Sequence, residues 1–228
     1  MKTEPPPTAD YPVALHLSGR LVVIVGAGQV GKRKLRGVAP TGARIKIIDP
    51  AGTEIHPTTK TDYLQREYRP GDLSGAELVF ICTDDPVVNQ QVADEAAALS
   101  IWYCRSDQPR RGSLTVPAVL RRENLTVAVS TGGGSPALAA LFRDRIAEMV
   151  PDSWGKAVEI IAAVRRKWLT EQTEVKYNQE VLRKLLDQEL VPLIAHKQIK
   201  KIDQLLLSQF GAGFTLSELR VKIDEGAP

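Results

Sequence analysis

Leu21–Val25 is an unbroken apolar run, and Glu77-Leu-Val-Phe-Ile-Cys82 carries four consecutive large apolar residues bounded by turn chemistry. Runs of that length predict strands buried on both faces. Between them, apolar positions recur at helical spacing. The pattern predicts strands at Leu21–Val25, about Arg44–Ile48, Glu77–Cys82 and Ile101–Cys104. A helix is predicted from about Gln29 to Val38, ended by Pro40 and Gly42. Another covers Val87–Leu99, with Asp84 or Asp85 as its cap and Pro86 near its first position. Tyr11–Leu17 alternates well enough to predict a leading strand closed by Ser18-Gly19, and Asp62–Tyr68 a short one before the loop Arg69–Gly75. Strands alternating with helices at this spacing imply an α/β fold with a parallel, doubly wound sheet.

Past residue 112 the pattern changes. Ser113–Leu120 and Leu125–Ser130 read as strands joined by Arg121-Arg-Glu-Asn124, followed by Thr131-Gly-Gly-Gly134 and a helix to about Met149. Ser135 fits the helix cap and Pro136 its first position. From Asp152 onward the chain is helical in pattern, with Val158, Ile161, Ala162, Val164, Trp168 and Leu169 at helical spacing, then Val175, Val181, Leu182, Leu185, Leu186 and Leu190, then Ile202, Leu205 and Leu206. The expected organisation is a nucleotide-binding domain over 1–112, a small α+β region over 113–150 and a helical domain over 151–228.

The first predicted strand runs into Gly26-Ala27-Gly28-Gln29-Val30-Gly31, and the next predicted strand ends at Asp49, 21 positions after Gly28. Strand, glycine turn, helix start and an acid at that distance are the Rossmann dinucleotide fingerprint. Gly26 makes the turn, Gly28 admits the pyrophosphate, and Gly31 lets helix and strand approach. The helix N-terminus then faces the phosphates. Thr83 and Asp84, at the end of the predicted strand Glu77–Cys82, share the sheet edge where ligands bind in such folds.

Composition narrows the options. Hydrophobic residues make up 43% and charged residues 25%, as in a globular protein, and aromatics only 5%. Scarce aromatics argue against single-stranded nucleic acid, as do the twelve basic and eleven acidic residues that nearly cancel after position 151. No apolar run reaches the ~20 residues of a membrane span. Met1–Asp10 has no apolar signal core and reads as a disordered lead-in. Cys82 and Cys104 end predicted strands and read as buried thiols, and His16, His56 and His196 are scattered, so no metal site is expected. A soluble, cytoplasmic protein is expected.

Between Arg105 and Arg145 stand seven arginines, no lysine and three acids. Arginine alone suits bidentate recognition of carboxylates or phosphates, although a scattered, solvated face explains the same count. Arg105, Arg110 and Arg111 flank Asp107 on the cofactor edge. A carboxylate among guanidinium groups stays ionised. It then has three roles open: accepting a proton as hydride leaves, hydrogen-bonding a pyrrole N–H, or simply pairing with its neighbours. The glycine run before Ser135 is an anion cradle or a plain strand-to-helix turn.

Val25-Gly-Ala-Gly-Gln-Val-Gly-Lys-Arg-Lys34, Cys82-Thr-Asp-Asp-Pro-Val-Val-Asn89, Asp107-Gln-Pro109, Pro117-Ala118 and Val127-Ala-Val-Ser-Thr-Gly-Gly-Gly-Ser-Pro-Ala-Leu-Ala139 resemble the precorrin-2 dehydrogenase (siroheme synthase dehydrogenase) family over roughly residues 10–165. The resemblance implies NAD-dependent oxidation of precorrin-2 to sirohydrochlorin, with Asp107 at the catalytic position. It also implies an intertwined homodimer formed after the nucleotide domain. Some members insert ferrous iron or cobalt as well. Arg105, Arg110, Arg111, Ser130, Thr131, Gly132, Gly133 and Ser135 would face the substrate, a tetrapyrrole with eight carboxylates. Asp49 would repel a 2′-phosphate and favour NAD over NADP. The chain departs from the family at Tyr103-Cys-Arg-Ser106, where Asn-Val-Val is common. Gly31, often alanine in the family, is expected to be an indifferent exchange. The rival expectation from another class is an NAD-sensing regulatory module without turnover.

Overall fold

Val22, Val23, Ile24 and Val25 are buried on both sides, as a strand must be when helices cover both faces of its sheet. The computed structural model describes residues 10–51, 60–171, 179–187 and 190–223. The expected lead-in apart from Asp10, His56 and Val175 lie outside them. Five parallel strands, β1 (Leu21–Val25), β2 (Arg44–Ile48), β3 (Thr61–Leu64), β4 (Ala76–Ile81) and β5 (Trp102–Arg105), stand in the order β3-β2-β1-β4-β5. The helices α1 (Gln29–Val38) and α2 (Pro86–Ala98) complete the doubly wound pattern. Alternate residues serve the two faces. Val22, Ile24, Ile45, Ile47, Leu78 and Phe80 form one apolar cluster with Val38 of α1. Val23, Val25, Val79 and Ile81 form the other with Val92, Ala93 and Ala96 of α2. The strand order reverses direction between β1 and β4, so a crevice opens there beyond their carboxyl ends.

Tyr11–Leu17 is not a strand. It has no ladder partner among the described residues, and Tyr11 is 88% exposed. Alternation alone cannot make a strand where no neighbour offers backbone groups. The short strand is confined to Thr61–Leu64.

The chain divides into two compact units. The first runs to Val116 and includes Gly132–Ser135; the second holds Pro117–Thr131 and the chain from Pro136 onward. In the second, β6 (Ala118–Arg122) and β7 (Leu125–Val129) form an antiparallel hairpin closed at the Arg122–Leu125 pair. The predicted strand over Ser113–Leu120 is thus shortened at its start. Pro117 has no N–H to give a ladder, and Ser113 is held instead by the Tyr103 carbonyl at 2.9 Å. At its end β6 takes in Arg121 and Arg122, leaving only Glu123-Asn124 as the turn.

The helices are α3 (Pro136–Met149), α4 (Ser153–Glu171), α5 (Gln179–Asp187), α6 (Leu190–Ala195) and α7 (Ile199–Phe210). Ile202, Leu206 and Phe210 of α7 pack with Leu190 and Ile194 of α6 and with Ala157, Ile160, Ala163 and Val164 of α4. The seam on α4 keeps the expected Val164, with Ile161 packed against it, but Ala157, Ile160 and Ala163 join it while Ala162 and Leu169 are exposed. Alanines at 157 and 163 let the helix come close, and hydropathy weighs such small residues too little to tell Ala163 from Ala162. Gly155 opens α4 against the hairpin, where an added Cβ would lie 2.3 Å from the Arg122 carbonyl oxygen.

Candidate active site

Gly26 follows β1 at φ +94°, and a Cβ there would sit 2.6 Å from the carbonyl carbon and oxygen of Cys82. Only glycine makes this turn. Gly31 lies one helical turn on, where a Cβ would be 2.0 Å from the Gly26 carbonyl oxygen. Alanine is therefore not an indifferent exchange in this backbone. Gly28 differs: a Cβ would meet nothing within 4 Å, because the space before it is the cleft itself. Gly28 caps α1 in extended conformation without a side-chain bond, and no acid occupies the first turn. The N–H groups there have no acceptor within the helix and point their positive ends outward. This is a cradle for a pyrophosphate.

The cleft measures about 730 Å³, within the range of small-molecule sites. Gly26, Ala27, Gly28, Gln29, Val30, Asp49, Thr83 and Asp84, all expected to hold the cofactor, line it. Asp49 does more than face the cleft. One of its oxygens accepts the Ala27 N–H, and the other accepts the Ala51 N–H at 2.8 Å. The acid thereby ties the end of β2 to the glycine turn, while each oxygen keeps a second acceptor position. Glu67, Tyr68, Lys32 and Asp85 also line the cleft. Spacing could not reveal Tyr68: its hydroxyl donates to Glu95 of α2, a contact between segments far apart in sequence.

Asp85, rather than Asp84, caps α2: it accepts the N–H groups of Val87 at 2.7 Å and Val88 at 3.2 Å. Asn89 is buried beneath that turn. Its Nδ2 donates to the Thr83 carbonyl at 3.0 Å, and its Oδ1 accepts the Thr83 hydroxyl at 2.6 Å. A sequence signal for it exists. Asn89 occupies the first slot of the buried stripe continued by Val92, Ala93 and Ala96, and a polar residue in such a slot needs a partner.

Asp107 lies two residues beyond β5, on the same sheet edge. Arg105 grips it in a fork, Nε to Oδ1 at 3.1 Å and Nη2 to Oδ2 at 2.7 Å. That hydrogen-bonded guanidinium holds the Asp107 carboxyl down at about 2, against the opposing pull of burial, and Asn89 adds to the effect. Arg105 is itself 2% exposed, and Nη1 donates to Gln90 Oε1 at 2.7 Å. It is therefore not presented to a ligand, contrary to its expected role on the substrate. A count of charges along a sequence does not tell a buried arginine from an exposed one. Arg110 and Arg111 are exposed in the short 3₁₀ turn that follows Asp107. Gly132, Gly133 and Ser135 belong to the same unit, and a Cβ on Gly133 would lie 4.0 Å from Arg110 Cγ. Ser130 and Thr131 belong to the other unit.

Cys82 and Cys104 are buried and unpaired, and burial pushes both thiols up. Among the described residues, no three His, Cys, Asp or Glu side chains come together as metal ligands, and no helix is long and apolar enough to cross a membrane.

Fold and cleft together define a Rossmann-type dinucleotide-binding unit. Residues 13–118 match the family model described as putative NAD(P)-binding, and residues 122–149 the one described as sirohaem biosynthesis protein central. A siroheme synthase of Pseudomonas paraeruginosa is 34% identical over 163 residues, covering 68% of this chain and 34% of that one. A siroheme synthase of Methylobacillus flagellatus is 31% identical over 191 residues, 79% of this chain and 40% of that one. The chain thus spans between a third and two fifths of the length of these curated relatives. The solved structure titled SirC, precorrin-2 dehydrogenase shares the fold at a TM-score of 0.63 and 22% identity, covering 86% of this chain and 100% of that one. The chain is thus similar to siroheme synthases over two thirds of its length or more, and carries a region described as NAD(P)-binding and one described as sirohaem biosynthesis protein central.

Proposed function

We propose that this protein oxidises precorrin-2 to sirohydrochlorin with NAD as acceptor. One observation carries the reading: an ionised carboxylate, Asp107, is fixed on the same sheet edge as a cleft built for a dinucleotide. Nicotinamide, when bound, supplies the hydride acceptor. Gly28 and the first turn of α1 would seat the pyrophosphate, and Asp49 the adenosine ribose. Oxidation removes a hydride and a proton from the substrate. A carboxyl held near 2 is a weak base at neutral pH. Asp107 therefore serves best as a fixed acceptor for a pyrrole N–H, orienting the ring for hydride departure, while the proton leaves to solvent. Arg110 and Arg111 stand beside it to receive substrate carboxylates, with Gly132, Gly133 and Ser135 as further contacts.

NAD is the preferred dinucleotide because Asp49, Glu67, Asp84 and Asp85 all line the cleft, where Lys32 is the opposing charge. A 2′-phosphate would enter among carboxylates. The substrate side of the proposal includes a second copy of the chain. Leu138, Leu141, Phe142 and Met149 lie exposed along α3, and Met149 is 77% exposed. Such a row is the kind of face homodimers cover, which makes residues 113–150 the dimerisation region. Two unpaired thiols suit a reducing compartment such as the cytoplasm.

The test is anaerobic turnover of precorrin-2 by pure protein. NADH absorbance should rise in step with sirohydrochlorin, and NAD should outperform NADP by at least about tenfold in kcat/KM, the scale of one unfavourable charge contact. Tight NAD binding with no turnover would instead support a sensing module.

A further inference from the structure

The grip of Arg105 on Asp107 continues into α2. Arg105 Nη1 donates to Gln90 Oε1 at 2.7 Å, and Gln90 Nε2 donates to Asp94 Oδ1 at 2.7 Å. Two bonds to one carboxylate fix the distance of a guanidinium but leave the pair free to rock about the axis between them. A third bond from a different element removes that freedom. Its origin matters as much as its presence. Gln90 lies two residues after Val88, which lines the dinucleotide cleft with Thr83, Asp84 and Asp85, and it stands in the first turns of α2, which Asp85 caps. The position of Asp107 is thereby set by the wall of the cofactor site and not only by its own loop. Asn89, bonded to Thr83 on the cleft side, also helps to lower the Asp107 carboxyl. The groups facing this pair are Asn89, Gln90 and Asp94 from α2 and Tyr103 from β5.

We propose that Gln90 is a positioning residue, holding the Arg105 fork so that the Asp107 carboxylate keeps a fixed place relative to the cleft. The proposal rests on the reading that Asp107 meets the substrate. Gln90 itself touches neither cofactor nor substrate; it acts through Arg105.

Two variants of the full-length protein test it. Gln90→Leu keeps bulk and removes both bonds, whereas Gln90→Glu keeps an acceptor for Arg105 Nη1. For each, the Asp107 carboxyl is titrated by carbon-13 NMR without substrate, and kcat and KM for NAD are measured with precorrin-2. In Gln90→Leu the midpoint of Asp107 should rise from about 2 toward the ordinary carboxylate range. Its kcat should fall about tenfold or more while KM for NAD stays within about twofold, as for a misplaced rather than absent group. Gln90→Glu should recover most of kcat. If Gln90→Leu moves neither the midpoint nor kcat, or if Gln90→Glu is as slow as Gln90→Leu, the proposal is overturned. A midpoint that moves while kcat does not overturns the role of Asp107 itself, and the proposal with it. A parent protein that never turns over precorrin-2 refutes the function while the titration still reports on the clamp.

Discussion

Two glycines of the fingerprint, Gly28 and Gly31, carry different burdens, and substitution separates them. Gly31→Ala drives a methyl group to within 2.0 Å of the Gly26 carbonyl oxygen. Overpacking of that kind costs about 1–3 kcal/mol, so its melting temperature should fall by several degrees. Gly28→Ala meets no neighbour and should melt like the parent. Its methyl group occupies the approach of the pyrophosphate, so NAD affinity, read by calorimetry, should drop about tenfold or more. Asp107 links charge to stability as well as to chemistry. Its folded-state carboxyl sits at about 2, below the unfolded value, so its pairing stabilises the fold above the unfolded value. That contribution disappears as pH falls through the folded one. Partial exposure reduces it to the order of 1 kcal/mol. In denaturant titrations the parent should exceed Asp107→Asn by about that much at pH 6, and the two should converge as pH approaches 2.

Among the elements, legibility followed burial. The apolar runs Leu21–Val25 and Leu78–Ile81 announced β1 and β4, because strands covered on both faces are apolar there, and the glycine turn between β1 and α1 obeys steric rules that spacing alone exposes. Tyr11–Leu17 had the alternation of a strand but no neighbour to pair with, and pairing is not written in a single segment. On α4 the expected Val164 is buried with Ile161 packed beside it, but Ala157 and Ala163 were hidden from the pattern because hydropathy barely weighs residues so small. The site divided in the same way. The cleft lining followed from the fold, since all eight expected residues stand at strand ends, in turns or in the first turn of α1. The burial of Arg105 and the bonds of Asn89 and Gln90 depend on side chains meeting across elements, which no local pattern encodes. The exposed row on α3 supplies this scale's prediction. Introducing Leu141→Glu with Phe142→Glu should convert the proposed dimer to a monomer in sedimentation equilibrium. The far-ultraviolet circular dichroism should stay intact, because both side chains are already more than half exposed.

At the level of the whole molecule, the position of Asp49 has a consequence for how coenzyme choice can change. The acid that would turn away a phosphorylated ribose is also the brace between β2 and the glycine turn, through the amide of Ala27. Replacing it to welcome the larger coenzyme would therefore loosen the very bend on which either coenzyme rests. Descendants of this chain could cross that divide only in two coordinated steps, one supplying a new acceptor for the orphaned amide and the other clearing the charge.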